Sequence, residues 1–249
     1  MKTGFVSRQP DKQMELQKST KQERRELRHQ EKMMEQKQRA RKEFIKRIIF
    51  WFSILIVIGA LIFGVAKFTN APSGSDVNND WIKGNREASV TIVEYSDFQC
   101  PACGAYYPVT KQLVEEFGEN IAFVYRHFPL SQIHKNAELA AQAAEAAGKQ
   151  NKFWEMHDMI FENQKEWSDE RNVKEFFVMY AEALNLNKEQ FVADFDLKEV
   201  MDKINADYKS GLRYSVNAVP TFFLNGEKLQ NPRNYEDFKS IIQEYISQQ

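Results

Sequence analysis

Val90-Thr-Ile-Val-Glu-Tyr-Ser-Asp-Phe-Gln-Cys-Pro-Ala-Cys103 is the stretch whose reading decides the fold of this chain. Its first half is apolar and β-branched, so Ser89–Tyr95 is expected to be a strand. Its end is a Cys-x-x-Cys quartet, and Pro101 stands where a helix can begin without losing a hydrogen bond. The helix is predicted over Pro101–Phe117. A strand that runs through two cysteines into a helix puts Cys100 at a helix N-terminus. Unpaired amides and the positive end of the dipole there favour thiolate over thiol. Cys100 is therefore expected to be the exposed nucleophile, and Cys103, one turn further in, the resolving thiol. Two intervening residues let the sulfurs close a small ring without unwinding the helix, and exchange would run through a mixed disulfide.

These are the only two cysteines among 249 residues, so no structural disulfide can exist elsewhere in the chain. Half a zinc site is one alternative, but His127, His134 and His157 have no paired spacing with the cysteines or with each other. Haem attachment would need a histidine after the second cysteine, where Gly104 stands. A permanently closed, inert disulfide is the other alternative; placement between strand and helix favours exchange. No metal and no cofactor is expected, although the many acids further along leave a calcium site open.

Downstream, Ile121–Phe128 reads as a second strand. Helical periodicity then covers His134–Ala147, Lys152–Glu162, Glu170–Leu184 and, with gaps, Lys188–Leu212. Strand signals return at Thr221–Leu224 and Glu227–Leu229, joined by Asn225-Gly226, a strong hairpin turn. An amphipathic helix over Tyr235–Ser247 ends the chain. The order is βαβ, a helical block, then ββα. His134 and His157 read as packing or hydrogen-bonding residues, Phe153, Trp154 and Phe161 as core, and Asp97 as a turn or capping residue.

Upstream the character changes. Residues 1–47 carry fifteen Lys and Arg against seven Asp and Glu, whereas the remainder carries nineteen against twenty-eight. The near-neutral total thus hides a basic head on an acidic body. The head keeps no heptad and reads as a disordered or loosely helical solvated tail. Ile48–Ala66 is an uncharged run long enough, as a helix of about 28 Å, to cross a bilayer. Arg41, Lys42, Lys46 and Arg47 precede it and only Lys67 follows closely, so the N-terminus is expected in the cytoplasm. A cleaved signal peptide is the rival reading. Its n-region would be unusually long and no clear cleavage site follows, which favours an uncleaved anchor. Residues 67–80 read as a flexible linker rich in turn formers.

Beyond these patterns the chain resembles a known family. The stretch Val90–Cys103 looks like the active-site strand and helix of the DsbA-like branch of the thioredoxin superfamily. Tyr125-Arg-His-Phe-Pro-Leu130 resembles that family's next strand and its exit. Ala140–Gly148 with Phe153-Trp-Glu-Met-His157 is similar to its helical insertion, and Ala218-Val-Pro-Thr-Phe-Phe-Leu-Asn-Gly226 to its cis-proline loop. The resemblance covers about residues 81–249. It implies an α/β, thioredoxin-like fold with a helical domain inserted at about 131–215, which the one transmembrane helix read from the apolar run Ile48–Ala66 would precede. Pro220 would sit in a cis peptide bond beside the dithiol, with the Val219 backbone free to pair with an extended substrate. Glu94, six residues before Cys100, would be a buried acid relaying a proton to or from Cys103. Pro101 and Ala102 would contact substrate. They depart from the Pro-His pair of the strongly oxidising DsbA enzymes, which implies a weaker oxidant here. Phe98, Tyr106 and Tyr107 could help to hold substrate.

The resulting expectation is an extracytoplasmic enzyme that forms disulfides in secreted or envelope proteins, single-pass in a Gram-positive-like cell membrane. Its partners would be reduced proteins or peptides and a quinone-linked or other re-oxidising membrane protein. No nucleic acid is expected, and the chain is expected to be a monomer. A reductase or isomerase on the same fold, or a non-enzymatic binding or chaperone module, are the alternatives.

Overall fold

The computed structural model describes residues 21–68 and 80–248; within the first segment the side chains of 21–27, 30, 31, 35, 39, 40, 57 and 59–68 are outside that description. The chain divides into two compact units, residues 1–69 and 70–249.

In the first unit, Lys21–Phe68 forms one continuous helix, α1. The basic segment from Lys21 onward is therefore regular helix. Residues 1–20 of the predicted tail and 69–79 of the predicted linker lie outside the described residues. The consecutive side chains Ile48, Ile49, Phe50, Trp51 and Phe52 are all exposed, as are Leu55, Ile56 and Ile58. Successive residues turn by about 100°, so these cover every face of the helix. Among the described residues no helix is long and apolar enough to cross a membrane. The run Ile48–Ala66 falls partly among residues whose side chains are not described.

The second unit is built on a five-stranded mixed sheet. β2 (Val90–Ser96) and β3 (Ile121–His127) are parallel, from Val90↔Ile121 to Ser96↔His127, and are joined by helix α2 (Pro101–Phe117). This is the βαβ unit that a parallel pair requires. β4 (Thr221–Leu224) runs antiparallel on the other side of β2, and β5 (Glu227–Lys228) extends it. The outer strand β1 (Trp81–Gly84) is antiparallel to β3, giving the order β1-β3-β2-β4-β5. Asn225 and Gly226 both have positive φ, as the hairpin turn demands.

One sheet face, with Ile92, Phe123 and Phe222, packs on Leu113 of α2 and on Phe238 and Ile242 of the terminal helix, Tyr235–Ser247. The opposite face, with Val93, Val124 and Phe223, shares a core cluster with the helical block. That block comprises α3 (Ala137–Gly148), α4 (Phe153–Glu162), α5 (Gln164–Trp167), α6 (Val173–Ala183), α7 (Lys188–Phe195) and α8 (Lys198–Arg213); the terminal helix is α9. The alanines of α3 make it the hub, because small side chains let α4, α6, α7 and α8 all approach it. Each fully buried aromatic of this block contributes about 1.5–3 kcal/mol.

The structure departs from the sequence pattern in four places. β1 was not anticipated: four residues show no periodicity, and Trp81 is held by stacking on Phe153 and donating to Glu145. The helix predicted from His134 starts at Ala137, because residues 130–134 are drawn into a turn over Asp97. The stretch Lys188–Leu212 is two helices, broken at Leu197 (ψ 138°) so that Phe191 and Phe195, then Val200 and Ile204, can all be buried. Finally Asp80, the last residue of the predicted linker, is a buried anchor paired with Arg126 at 2.6 Å and Lys203 at 3.4 Å.

Candidate active site

Cys100 is the N-cap of α2, with extended backbone (φ −70°, ψ 123°) and Pro101 following. Residues 97–100 form a turn: Cys100 N donates to Asp97 O, and Gln99 N donates to Asp97 Oδ1. Asp97 is thus the turn former expected of it. It does more than close the turn. Its Oδ2 accepts from Leu130 N at 2.9 Å and pairs with His134 Nδ1 at 2.7 Å, tying the loop to the exit of β3.

β4 runs alongside β2 with Tyr95 opposite Thr221, which carries the preceding loop to the mouth of α2. The Val219–Pro220 peptide bond is cis, and Val219 O lies 3.8 Å from Cys100 Sγ. Asn231 donates to Pro220 O and Thr221 Oγ1 to Ala218 O, so both sides of the loop are pinned. Among the described residues no hydrogen bond uses the Val219 N–H. Cys100, Cys103, Val219 and Pro220 are therefore brought together, with the flanking Pro101 and Ala102 exposed.

Both cysteines are free thiols. Cys103 is fully buried, and Asp97 N approaches its sulfur at 3.5 Å. Cys100 is only 8% exposed, less than a protruding nucleophile would be, because the Val219–Pro220 loop covers it. The electrostatics separate the two. The Cys103 thiol, donating toward the Cys100 sulfur, and the backbone amides of Cys103 and Ala102 bring Cys100 down to about 6, against burial and the Asp97 charge. The neighbouring thiol contributes more than either helix amide taken singly. Burial, then the hydrogen bond and charge at Cys100 and the charge of Glu94, push Cys103 well above the ordinary thiol range.

Glu94 lies on β2, 3% exposed, and burial pushes its carboxyl up to about 7. It faces the same region as Tyr125, its partner across the β2–β3 ladder. Burial and the charges of Glu94 and Cys103 push the Tyr125 hydroxyl up. Ser96 Oγ and Tyr125 OH are both buried without a hydrogen-bond partner. The Glu94 charge acts on the Cys103 thiol, a proximity that suits proton transfer between the two.

Two expected contacts are not made. Phe98 (1% exposed) stacks on Tyr125 and Phe161, and Tyr107 stacks on Phe161. Both are core side chains with no face for a substrate. Tyr106 is half-buried, its hydroxyl donating to Pro232 O. His157 is buried against Asp158, as a hydrogen-bonding residue. Among the described residues no group of three or more His, Cys, Asp or Glu could hold a metal ion.

The family model described as Thioredoxin matches residues 76–244. The chain belongs to that thioredoxin family. Its fold is that of the DsbA-like proteins. α-DsbA1 from Wolbachia pipientis matches with a TM-score of 0.61 and 21% identity, over 69% of this chain and 92% of that one. Oxidised BdbD from Bacillus subtilis matches with a TM-score of 0.59 and 22% identity, over 72% and 94%. Among curated sequences, the Na(+)/H(+) antiporter NhaA 3 of Salinispora tropica is 36% identical over 67% of this chain, and NhaA 1 of Salinispora arenicola 38% identical over 67%. The thioredoxin-family chain spans only a quarter of the length of those curated relatives.

The sequence missed Gln99, His134 and Gln164 as parts of the site. Gln99 Nε2 donates to Ser168 O, and Gln99 Oε1 accepts from Asn136 N, so the dithiol loop is bound to the helical block. No local pattern signals contacts across 37 to 69 positions.

Proposed function

We propose that this chain is a membrane-anchored thiol–disulfide oxidoreductase that introduces disulfide bonds into secreted or envelope proteins. The observation that carries the proposal is the separation of the two thiols, Cys100 held near 6 and Cys103 held protonated, beside the Val219–Pro220 loop.

In the oxidised enzyme a substrate thiolate attacks Cys100 Sγ. The Cys100–Cys103 bond breaks, and the electron pair leaves on Cys103, which takes up a proton from Glu94. A second substrate thiolate then attacks the substrate sulfur of the mixed disulfide and expels Cys100 as a thiolate. The substrate leaves as a disulfide, two electrons rest on the dithiol, and its two protons go to Cys103 and solvent. A stable Cys100 thiolate is a good leaving group and stabilises the reduced enzyme, which favours this direction. An extended substrate would pair with the Val219 N–H and lie across Pro101 and Ala102. Alanine at 102 adds no positive charge, so the potential is expected below that of enzymes with Pro-His in the quartet.

Re-oxidation calls for an electron acceptor, which we assign to a quinone-linked or other oxidising membrane protein. The membrane location rests on the uncharged run Ile48–Ala66, the exposed apolar side chains Ile48–Phe52, Leu55, Ile56 and Ile58, and the basic residues before it. This orientation puts the N-terminus in the cytoplasm and the dithiol outside, in a Gram-positive-like envelope.

The test is oxidation of a reduced two-cysteine peptide by the oxidised full chain, beside reduction of insulin by the reduced chain. One peptide disulfide per dithiol, abolished by Cys100→Ser, is the expected result. Faster insulin reduction without peptide oxidation would reverse the direction. Activity surviving Cys100→Ser would remove the dithiol from the reaction.

A further inference from the structure

Gln164, at the start of α5, reaches the dithiol from 64 positions away. Its Nε2 donates to Phe98 O at 2.7 Å and to Cys100 O at 2.9 Å. Cys100 O also accepts the first bond of α2, from Gly104 N at 3.0 Å. The N-cap carbonyl therefore has both lone pairs engaged. Two carbonyl acceptors decide which end of the amide faces the loop, and they turn Oε1 toward Gly104. A Cβ at residue 104 would stand 2.5 Å from Oε1 and 3.0 Å from Cδ. The absent side chain after the second cysteine is thus the space that the glutamine amide occupies. The Gln99 bonds to Asn136 and Ser168 brace the same loop from the same helical block.

We propose that Gln164 is a positioning residue for the dithiol. By holding the Phe98 and Cys100 carbonyls it fixes the N-cap peptide of α2, so that the amides of Ala102 and Cys103 stay aimed at the Cys100 sulfur. The helical block is then part of the redox site, because its Gln164 sets the geometry on which the thiolate depends. Gly104 is the complement of this residue. The inference rests on the reading of Cys100 as the nucleophile.

The test measures Cys100 alkylation against pH in the reduced full chain, with the adduct located by mass. Gln164→Met keeps the length and bulk but has no donor. Gly104→Ala keeps the glutamine and displaces its amide. Each is expected to slow alkylation at pH 5 by about threefold to tenfold, the effect of raising a thiol by roughly half to one pH unit. Each should lower kcat for peptide oxidation with KM unchanged, since neither touches the Val219 backbone. In Gly104→Ala/Gln164→Ala the clash is gone, so the pair should behave like Gln164→Ala alone, a non-additive cycle. Far-UV circular dichroism checks folding, and should Gly104→Ala fail to fold, Gln164→Met decides alone. A folded Gln164→Met chain whose Cys100 alkylates like wild type from pH 5 to 8 overturns the inference. An ordinary thiol in the wild type would instead overturn the reading of the site.

Discussion

Asp97 Oδ2 lies 2.7 Å from His134 Nδ1, and the same oxygen accepts from Leu130 N at 2.9 Å. This buried carboxylate fixes the turn into the dithiol, yet its charge opposes the Cys100 thiolate. Turn geometry and nucleophile electrostatics therefore compete at one residue. Asp97→Asn is expected to lower Cys100 further below about 6 and make the enzyme more oxidising. Asparagine keeps the Oδ1 acceptor for Gln99 but cannot serve both Leu130 and His134, at a cost of about 1–3 kcal/mol. Alkylation against pH and urea denaturation measure the two effects; a Cys100 that titrates higher in Asp97→Asn would refute the first.

Glu94 carries a pH signature. Its folded carboxyl sits at about 7, above the ordinary 4.5. A raised carboxyl means that the folded state holds the proton more tightly, so this contribution to stability falls as pH rises from about 4.5 to 7. The span corresponds to something on the order of 3 kcal/mol. Glu94→Gln should remove it, so the stability difference between variant and wild type should grow in the variant's favour between pH 5 and 8. The same variant should slow formation of the mixed disulfide from the oxidised enzyme, because the departing Cys103 thiolate loses its proton donor. Parallel pH dependence in both proteins would count against this assignment.

Cys100 predicts the opposite slope. Its folded thiol, at about 6, is depressed below the ordinary 9. The stabilisation of the reduced form is present above the unfolded value and is lost as pH falls through about 6. Melting temperatures of reduced wild type should therefore rise from pH 6 toward 9 relative to Cys100→Ser. A constant difference across that range would contradict it.

Asp80 joins Arg126, Lys203 and Asp207 in a cluster of four buried charged side chains, and it is the carboxylate that pairs with Arg126. Removing one member of a buried ion cluster leaves charge uncompensated. Asp80→Ala should cost about 3–5 kcal/mol in denaturant unfolding, whereas a residue in a flexible linker would cost almost nothing.

The proposed anchor is tested by fractionation. The full chain should resist alkaline extraction from membranes, and externally added protease should degrade the region after Lys67 while sparing residues 1–47. Release of intact chain on alkaline washing would remove the anchor.

Much of the site was legible beforehand because its chemistry is tied to chain order. The strand before Cys100 and the proline after it place the dithiol at a helix start, and Asn225-Gly226 sets the final hairpin. Pro220 and Glu94 were reached through resemblance, and the structure brings both to the dithiol's neighbourhood. The burial of Phe98 and Tyr107 is not legible in the sequence, since an aromatic near a cysteine can turn into the core as readily as toward solvent. β1 was illegible because four residues gain strand character only from β3.

The amino-acid order by itself determined the local features of this protein: most of its helices and strands, where the only dithiol lies and which of its sulfurs starts a helix, and that an uncharged stretch precedes the second unit. Those follow from backbone hydrogen bonding and the spacing of apolar side chains over a few residues. Tertiary structure alone decided the covering of Cys100 by the Val219–Pro220 loop, the clamp from Gln164, and the anchoring of Asp80. Each depends on burial and on short-range interactions with atoms dozens of positions away, and proximity of that kind exists only once the chain has packed.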